Sequence, residues 1–506
     1  MCSLLFNIGV LGALFAKGLP DLQTLHYGSF MCTTRDGGFA VTGYLPSALF
    51  EGGGLIKLTS TGELDWAVGI STLQPSFRLS ASVIQTSDGG YAIATDIERE
   101  GAHDFLVIKL NSNGSFRWAK TIGGIVGDDI PTSIIETYDH HLVVSGWSTS
   151  YGNGSTDALV VRLDENAGFV WACTLGSLSE EEIYSSSLAP GGDNRFLFAG
   201  VAHGANTDVI LFELDNAGNP IYMYKCQDIG IPNGEDYARC VVATAPDNGF
   251  LLVGETTSWG GSDMFVVRGD ATGTMRWARL IGGPLGEAAL SATQTSDGNF
   301  VVAGITWTYS IGGRDHMILK MDNEGNLLWC TGFGGPDQDF AQTVVEAEDG
   351  DLGILGWGMS YGVPTALLKI RADGTYPNCV MEIRPIVSEV IPNHGPHSLA
   401  HQPCTPDILP ADVQITPFST SLTNICEPLY EDLKETRDLP HSSLLCASSS
   451  GGLLFISPIE TKISIYYPDG RIAYVGELSA GRNRIALGPG IYLWQTGTYS
   501  GKAVVK

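Results

Sequence analysis

Basic side chains and long apolar runs are both scarce in this chain of 506 residues. Only 28 residues are Lys or Arg against 55 Asp or Glu, which gives a formal net charge of −27. A chain this acidic repels phosphate backbones and anionic lipid surfaces, and no run of Lys and Arg offsets the charge. No stretch reaches the roughly 18 consecutive apolar residues of a spanning helix. We therefore predict no nucleic-acid partner and no membrane span.

Helical periodicity and several familiar catalytic motifs are also missing. No window places apolar residues at i, i+3, i+4 and i+7 over three turns, so the pattern does not indicate α-helices. The sequence has no HExxH or P-loop motif, and no GxGxxG that follows a strand into a helix. We predict no catalytic residue, no metal site built from a known motif and no cofactor.

What the chain contains suits many short strands joined by tight turns. It is 43% hydrophobic, only 16% charged and carries 64 glycines. An Asp-led turn recurs every 50 to 54 residues, at Asp36, Asp88, Asp139, Asp193, Asp247, Asp297 and Asp349. A turn glycine keeps the same period, at Gly62, Gly114, Gly168, Gly218, Gly273, Gly325 and Gly374. A period near 50 is typical of a propeller blade, because solenoid coils usually repeat faster.

Each repeat contains four apolar segments that read as strands. In residues 82–124 these are SVIQT, YAIAT, FLVIKL and FRWAKTI, called strands A to D. Asp-Gly between A and B supplies the positive φ that a two-residue hairpin needs. We therefore predict an all-β fold: a seven-bladed β-propeller with four-stranded antiparallel blades over residues 24–380, followed by a small C-terminal β-sandwich. A large ring recurs in strand D and is expected to pack blade against blade, at Trp66, Trp118, Trp171, Trp277 and Trp329, with Tyr222 and Tyr376 near the two remaining places.

The repeat resembles the delta-60 and kelch-like propeller repeats of bacteria. The segments that carry the resemblance are TSDGGYAIA at 86–94 and DFLVIKLNSNGSFRW at 104–118, together with their counterparts in the other units. The resemblance extends over most of the repeated region and implies a propeller. It leaves function open, because this architecture hosts enzymes, lectins and scaffolds alike.

The N-terminal residues 1–23 have two interpretations. The segment from Leu4 to Ala16 is apolar over a length typical of a signal-peptide core, but no Lys or Arg precedes it. The alternative is a strand that helps to close the propeller.

The C-terminal part divides in two. Residues 381–446 lack the repeat, are rich in Pro and Ser, and are predicted to form a linker or an irregular cover. Residues 447–506 show strand patterning between glycine-bearing turns. The run TKISIYYPDGRIAYVGELSAGRNRIALGPGIYLWQTGTYSGKAVVK at 461–506 resembles the type A sorting domain of the type IX secretion system. That resemblance implies contact with the secretion machinery and a secreted or cell-surface location outside a Gram-negative outer membrane. An accessory β-sandwich without a sorting role is the alternative.

Aromatic loop residues form the first set of candidate ligand contacts. In a propeller, ligands usually gather where loops from all blades converge on the channel, and the B to C and D to A loops share one end. The aromatic side chains of the B to C loops that can stack on a sugar or a peptide are Trp147, Tyr151, Trp259, Trp307, Tyr309, Trp357 and Tyr361. Because several recur at equivalent positions, packing within the loops is the alternative.

Acidic residues just before strand A form the second set. They are Asp129, Glu182, Asp236, Glu287 and Asp339. If strand A is innermost, these carboxylates approach the channel mouth and favour a cation such as calcium or a basic ligand. The alternative is that each carboxylate caps backbone N–H groups of its own loop.

Two functions are consistent with these patterns. The favoured hypothesis is a secreted or cell-surface scaffold that binds a carbohydrate, peptide or matrix ligand and is not an enzyme. The alternative is an extracellular glycan-active hydrolase or lyase with two carboxyls about 5–10 Å apart at the channel mouth. The repeats differ in length by only a few residues, whereas an enzyme usually distinguishes one blade, so binding is favoured.

Overall fold

The structure is a computed structural model. It forms two compact units, residues 1–427 and 428–506. In the first unit the described residues are 14–19, 31–47, 50–72, 82–189, 192–257, 261–310, 312–358, 360, 364–376, 381–397, 399–411, 413–417 and 423–424. In the second unit they are 445–449, 452–457, 461–466, 472–478, 481–486, 490–496 and 500–505. All regular structure in these ranges is β-strand, and none of them contains a helix long and apolar enough to cross a membrane.

The strands of the ring follow one another blade by blade. The chain first forms β1 (Phe15–Gly18). Blade 1 then contains β2 (Met31–Thr33), β3 (Phe39–Ser47), β4 (Phe50–Leu58) and β5 (Leu64–Thr72). Blade 2 contains β6 (Ser82–Gln85), β7 (Tyr91–Arg99), β8 (Ala102–Leu110) and β9 (Phe116–Gly123). Blade 3 contains β10 (Asp129–Glu136), β11 (Leu142–Ser148), β12 (Asp157–Leu163) and β13 (Phe169–Gly176).

The remaining blades repeat this order. Blade 4 contains β14 (Glu180–Leu188), β15 (Phe196–His203), β16 (Thr207–Leu214) and β17 (Pro220–Gln227). Blade 5 contains β18 (Asp236–Thr244), β19 (Gly249–Thr257), β20 (Ser262–Gly269) and β21 (Met275–Gly282). Blade 6 contains β22 (Glu287–Gln294), β23 (Phe300–Thr306), β24 (Asp315–Met321) and β25 (Leu327–Phe333). Blade 7 contains β26 (Asp339–Glu346), β27 (Leu352–Gly358) and β28 (Thr365–Ile370), and takes β1 as its fourth strand.

Seven antiparallel blades close into a ring, which confirms the predicted propeller. Each strand A contacts the strands A of both neighbouring blades, and β26 of blade 7 contacts β2 of blade 1, so strand A is innermost. Seven buried apolar clusters fill the seven junctions between neighbouring blades. Closure comes from the N-terminal segment, because Phe15–Gly18 pairs with β28 in the place of strand D. Of the two interpretations of residues 1–23, the closing strand describes Phe15–Gly18, while residues 1–13 lie outside the described ranges.

The aromatic side chain that recurs in strand D explains why a glycine recurs in the C to D turn. A Cβ added at Gly114 would lie 2.8 Å from the Trp66 ring of the preceding blade, and Trp277 approaches Gly325 in the same way. Both glycines also adopt a positive φ, 78° and 82°. In blade 7 the corresponding aromatic side chain is Phe15, which packs on the C to D turn of blade 1. Its nearest atom lies 2.5 Å from a Cβ built on Gly62. The predicted counterpart Tyr376 packs instead at the junction of blades 6 and 7.

Residues 381–424, predicted as a linker or irregular cover, add a fifth strand to every blade. We call this segment the belt. Its strands are β29 (Met381–Glu382), β30 (Ile386–Glu389), β31 (Asn393–Pro396), β32 (Ala400–Cys404), β33 (Asp407–Pro410), β34 (Val413–Pro417) and β35 (Thr423–Asn424). They pair antiparallel with the outermost strands of blades 6, 5, 4, 3, 2, 1 and 7 in that order. The belt therefore follows the blades in reverse chain order.

The belt has a seven-residue period. The backbone N–H groups of Ile383, Val390, His397 and Ala411 each donate to a strand D carbonyl, at 2.9, 3.3, 2.9 and 3.2 Å. In an edge strand, consecutive N–H groups point alternately to the partner strand and away from it. Pro396 and Pro410, one residue before two of these donors, therefore lack only an N–H that would point outward. Prolines at these places also block pairing with a further chain.

The second unit contains two antiparallel sheets. Its strands are β36 (Leu445–Ser449), β37 (Gly452–Ser457), β38 (Thr461–Tyr466), β39 (Ile472–Leu478), β40 (Gly481–Ala486), β41 (Gly490–Thr496) and β42 (Ser500–Val505). The three-stranded sheet has the order β36-β37-β40 and the four-stranded sheet the order β39-β38-β41-β42. The β-strand pattern predicted for this region is therefore present, in seven strands.

Candidate functional site

The strand directions define two ends of the ring. We call the end with the B to C and D to A loops the loop face, and the end with the A to B and C to D turns the turn face. The candidate residues that the structure describes, from both sets, lie at the loop face.

Four of the five candidate carboxylates are buried where strand A begins. Asp129, Asp236, Glu287 and Asp339 have no solvent exposure. Gly124 N–H donates to Asp129 Oδ2 at 2.8 Å, and Gly335 N–H donates to Asp339 Oδ2 at 3.0 Å. These contacts join each carboxylate to the D to A loop that leads into its own strand.

The other two buried carboxylates bond similar groups. Ile229 N–H donates to Asp236 at 3.3 Å, while Glu287 Oε1 accepts bonds from the Thr306 hydroxyl at 2.8 Å and from Thr308 N–H at 3.2 Å. In blade 4 this place belongs to Glu181, which is 1% exposed and accepts Ser177 N–H at 2.9 Å. The candidate Glu182 is half-buried and accepts the Tyr184 hydroxyl at 2.6 Å. The sequence alignment placed Glu182 here because it counted back a fixed number of residues from the turn residue Asp193. The A to B turn of blade 4 is longer than the others, so the equivalent residue is Glu181.

A second carboxylate, at the start of strand C, approaches several of these sites from the preceding blade. A Cβ added at Gly123 would lie 2.0 Å from Asp104 Oδ1 and 2.7 Å from Asp129 Oδ2. Burial raises the pKa of Asp104 to about 6, with Arg99 opposing the shift and Asp129 adding to it. Burial also raises the pKa of Asp236 to about 6, against hydrogen bonds from Thr256 and Ile229. Protons therefore bind at these junctions more tightly than to carboxyls in water.

The candidate tyrosines lie across blade junctions. The Tyr151 hydroxyl donates to the Gly123 carbonyl at 2.9 Å, and the Tyr309 hydroxyl donates to the Gly282 carbonyl at 3.0 Å. Both carbonyls belong to the preceding blade. Burial raises the pKa of Tyr151 to about 12, so its hydroxyl stays protonated as a donor.

The candidate tryptophans within the described residues, Trp147, Trp307 and Trp357, are half-buried. The Arg314 guanidinium lies 4.7 Å from the centre of the Trp307 ring, and the Phe340 ring lies 5.0 Å from that of Trp357. Trp147 is opposite Ile130 in the register of blade 3. Trp259 and Tyr361 lie outside the described residues.

Exposed aliphatic side chains of the D to A loops are a feature that the sequence reasoning missed. Ile125 and Val126 follow blade 2 with 80% and 79% exposure, Leu178 follows blade 3 with 89%, and Leu285 follows blade 5 with 60%. We call these four residues the apolar tips. Their signal in the sequence was an aliphatic residue between the glycine that ends strand D and the acidic residue that begins the next strand A.

Neither a nucleophile elbow nor a three-residue metal centre is built from the described residues. Residues 358–362 fit the pattern GxSxG, but they connect β27 to β28, whereas a nucleophile elbow joins a strand to a helix. The Ser360 hydroxyl donates to Asp339 Oδ2 at 2.5 Å, so it helps to hold the B to C loop against strand A. Within the described ranges, no group of three His, Cys, Asp or Glu residues is placed to hold a metal ion.

Comparisons with known proteins agree with the fold. A family model for a β-propeller domain of unknown function, DUF5122, matches residues 139–166, which lie in blade 3. No curated protein matches the sequence.

Several solved structures are similar to the chain. A protein of unknown function from Dyadobacter fermentans is 14% identical, with a TM-score of 0.39, over 60% of this chain and 98% of its own. Sqt1 of Chaetomium thermophilum, bound to the N-terminus of ribosomal protein L10, is 12% identical, with a TM-score of 0.39, over 70% and 100%. PorZ, a surface component of the type-IX secretion system of Porphyromonas gingivalis, is 9% identical, with a TM-score of 0.24, over 99% and 87%.

Proposed function

We propose that this protein is a binding scaffold whose loop face contacts an extracellular ligand through the apolar tips. The observation that carries the proposal is the exposure of Ile125, Val126, Leu178 and Leu285, which are at least 60% exposed. Loops positioned by a rigid scaffold often carry binding residues, and apolar side chains exposed on several loops of one face are suited to contact a partner.

The loops that carry the tips are held before any ligand arrives. The bond from Gly124 N–H to Asp129 fixes the loop of Ile125, and the bond from Ser177 N–H to Glu181 fixes the loop of Leu178. Leu285 N–H donates to the Thr308 hydroxyl at 3.1 Å. Ordering these loops in advance lowers the entropy lost on binding. In this proposal the buried carboxylates act as clamps for the loops and the ligand contacts the tips.

The chemistry of the tips favours a peptide or protein ligand over a sugar. The tips are aliphatic and offer no hydrogen-bond donors or acceptors to sugar hydroxyls, while Trp307 and Trp357 are already in contact with Arg314 and Phe340. An aliphatic surface is best matched by apolar side chains of a partner.

The enzymatic alternative receives less support from the described residues. A general acid must reach the bond that it protonates, but Asp129, Asp236, Glu287 and Asp339 are buried and bonded to protein groups. The raised pKa values of Asp129, Asp236 and Glu287 follow from burial at blade junctions.

For location, we propose secretion or display at the cell surface. The support is the resemblance of residues 461–506 to a type A sorting domain. In a bacterium with type IX secretion, deletion of residues 447–506 should leave the protein in the periplasm. Export of the truncated protein at the normal level would contradict the proposal.

The binding proposal is tested with polar substitutions at the tips. We expect Leu178→Ser together with Leu285→Ser to abolish binding to an array of peptides from extracellular proteins. Two leucines that become buried on binding contribute at least about 3 kcal/mol of binding energy. Phe116→Ser is the matched control, since Phe116 is also exposed, at 42%, but lies at the C to D turn of blade 2. Equal binding by the double variant and the parent protein would contradict the proposal.

A further inference from the structure

A polar cavity of about 560 Å³ opens on the turn face, opposite the apolar tips. Its walls come from the A to B turns of four consecutive blades, 6, 7, 1 and 2. The side chains that matter most are Thr33, Arg35, Gln85, Ser296, Glu346 and Glu348. Ligand pockets usually range from about 300 to 1,000 Å³, so the cavity has room for a small molecule.

The cavity lies where a repeated bridge between blades is interrupted. At junction 1/2, Gln85 at the end of strand A accepts Arg35 N–H from the preceding turn at 2.8 Å. Glu136, Gln294 and Glu346 make the equivalent bond at junctions 2/3, 5/6 and 6/7, at 2.6, 2.7 and 2.7 Å. At junction 7/1 the equivalent residue is Thr33, whose side chain is two heavy atoms shorter than that of Gln. The space that a Gln or Glu side chain fills at those four junctions is part of this cavity.

Two charged groups on opposite walls are held in place. Arg35 is fixed by its own N–H bond to Gln85 and by a bond from its guanidinium to the Ser87 carbonyl, which leaves further guanidinium donors for a ligand. On the other wall Glu348 reaches across the junction, since its Oε2 would lie 3.1 Å from a Cβ added at Gly37. Glu346, the second carboxylate of the lining, accepts Ser296 N–H and the Ser296 hydroxyl at 2.7 and 2.9 Å, so Arg35 and Glu348 are the charged groups that remain for a ligand.

We propose that this cavity is a second binding site and that it takes a small neutral polyhydroxylated ligand, a mono- or disaccharide. The Thr33 hydroxyl and the Arg35 guanidinium provide donors, and Glu348 provides an acceptor, so both kinds of group that sugar hydroxyls require are present. The Ser296 hydroxyl donates to Glu346 and can still accept. No aromatic or large aliphatic side chain lines the cavity, so an apolar ligand would find no match. The site is independent of the proposed function of the loop face.

The test closes the cavity without disturbing the fold. Thr33→Gln introduces the residue that Gln85 and Gln294 already provide at equivalent places, so it should bridge junction 7/1 and fill the space. Binding of a panel of neutral hexoses, N-acetylhexosamines and their disaccharides is followed by saturation-transfer NMR and calorimetry. We expect the full chain to bind at least one sugar. Thr33→Gln should weaken the affinity for that sugar by at least about tenfold without lowering the unfolding midpoint.

Further variants separate this site from the loop face. Arg35→Met should also weaken sugar binding by about tenfold, since it removes the charged donors. The variant loses the guanidinium bond to the Ser87 carbonyl but keeps the bond from the residue 35 N–H to Gln85. Leu178→Ser, at the loop face, should leave sugar binding unchanged. The proposal fails if the parent chain binds no sugar in the panel, if Thr33→Gln folds and binds like the parent, or if only lysine or arginine derivatives bind.

Discussion

At the scale of single residues, an ion pair inside each blade connects the repeated turn to strand C. In six blades the turn aspartate pairs with a buried Lys or Arg at 2.5 to 2.8 Å: Asp36–Lys57, Asp88–Lys109, Asp139–Arg162, Asp247–Arg268, Asp297–Lys320 and Asp349–Lys369. Burial opposes ionisation of Asp36, but hydrogen bonds from Lys57 and Thr34 outweigh it and lower its pKa to about 2. Blade 4 reverses the charges, with Glu213 on strand C and Arg195 before strand B at 2.7 Å.

The reversed pair of blade 4 leads to a mutational prediction. Arg195→Met should destabilise the protein by about 3 kcal/mol, because Glu213 would remain buried without its partner. Part of the cost is relieved at low pH, since burial raises the pKa of Glu213 to about 7. Urea unfolding at pH 7.5 measures the change.

The control for this prediction gives the ion pair of blade 4 the same order of charges as in the other blades. Arg195→Asp combined with Glu213→Lys should recover most of the lost stability, because it recreates a turn carboxylate facing a strand C cation. A double variant no more stable than Arg195→Met would show that the pair is not what holds this turn.

At the scale of elements, the belt is held by alternate backbone groups. His397 N–H donates to the Met223 carbonyl at 2.9 Å, whereas the neighbouring Pro396 has no N–H to offer. The side chains of Ile383 and Leu399 are 6% and 5% exposed and belong to the clusters between blades 5 and 6 and between blades 3 and 4. The belt therefore adds both backbone bonds and apolar contacts to the rim of the ring.

A proline exchange tests this alternation. His397→Pro should lower stability by about 1–3 kcal/mol, because it leaves the Met223 carbonyl without its donor in a strand that has only one partner. Pro396→Ala should change stability by less than about 0.5 kcal/mol, because the new N–H points outward. Similar losses from both exchanges in a urea titration would contradict the assigned register.

At the scale of the whole molecule, the buried carboxyls give the fold a preference for mildly acidic solution. Asp104 and Asp236 have pKa values of about 6 in the folded protein, above the ordinary value of 3.8. Because the folded state binds these protons more tightly, their contribution is complete below about pH 4 and is lost as the pH rises through about 6. The negative net charge acts in the same direction.

We therefore expect the thermal midpoint to fall between pH 5 and pH 8. The double variant Asp104→Asn and Asp236→Asn should flatten this dependence, since an amide does not titrate. The same slope in the variant and the parent would assign the effect to other groups. Asp36, with its lowered pKa, contributes only below about pH 4, so it does not disturb this window.

The sequence predicted the seven-bladed ring because the four-strand pattern is repeated seven times. It predicted less where a structural feature depends on a segment that occurs only once. The place of Phe15 in blade 7 was not visible, because strand D of that blade comes from the other end of the repeated region. The belt was missed because strands of two to five residues show little alternation, although Pro396, Pro403, Pro410 and Pro417 repeat every seven residues.

The site was harder to predict than the fold. Carboxylates such as Asp129 and Asp236 were recognised, but whether they face a channel or a neighbouring loop depends on packing between blades. The open junction beside Thr33 depends on one short side chain and gives no pattern at all.

The position of β1 has a consequence for how the chain matures. This strand lies between β28 and β35, and about 350 residues separate it from β28. During synthesis Phe15–Gly18 must remain unpaired until the last blade has left the ribosome, and only then does the belt gain its final partner. A factor that shields this short apolar segment in the nascent polypeptide would therefore raise the yield of molecules with a closed ring.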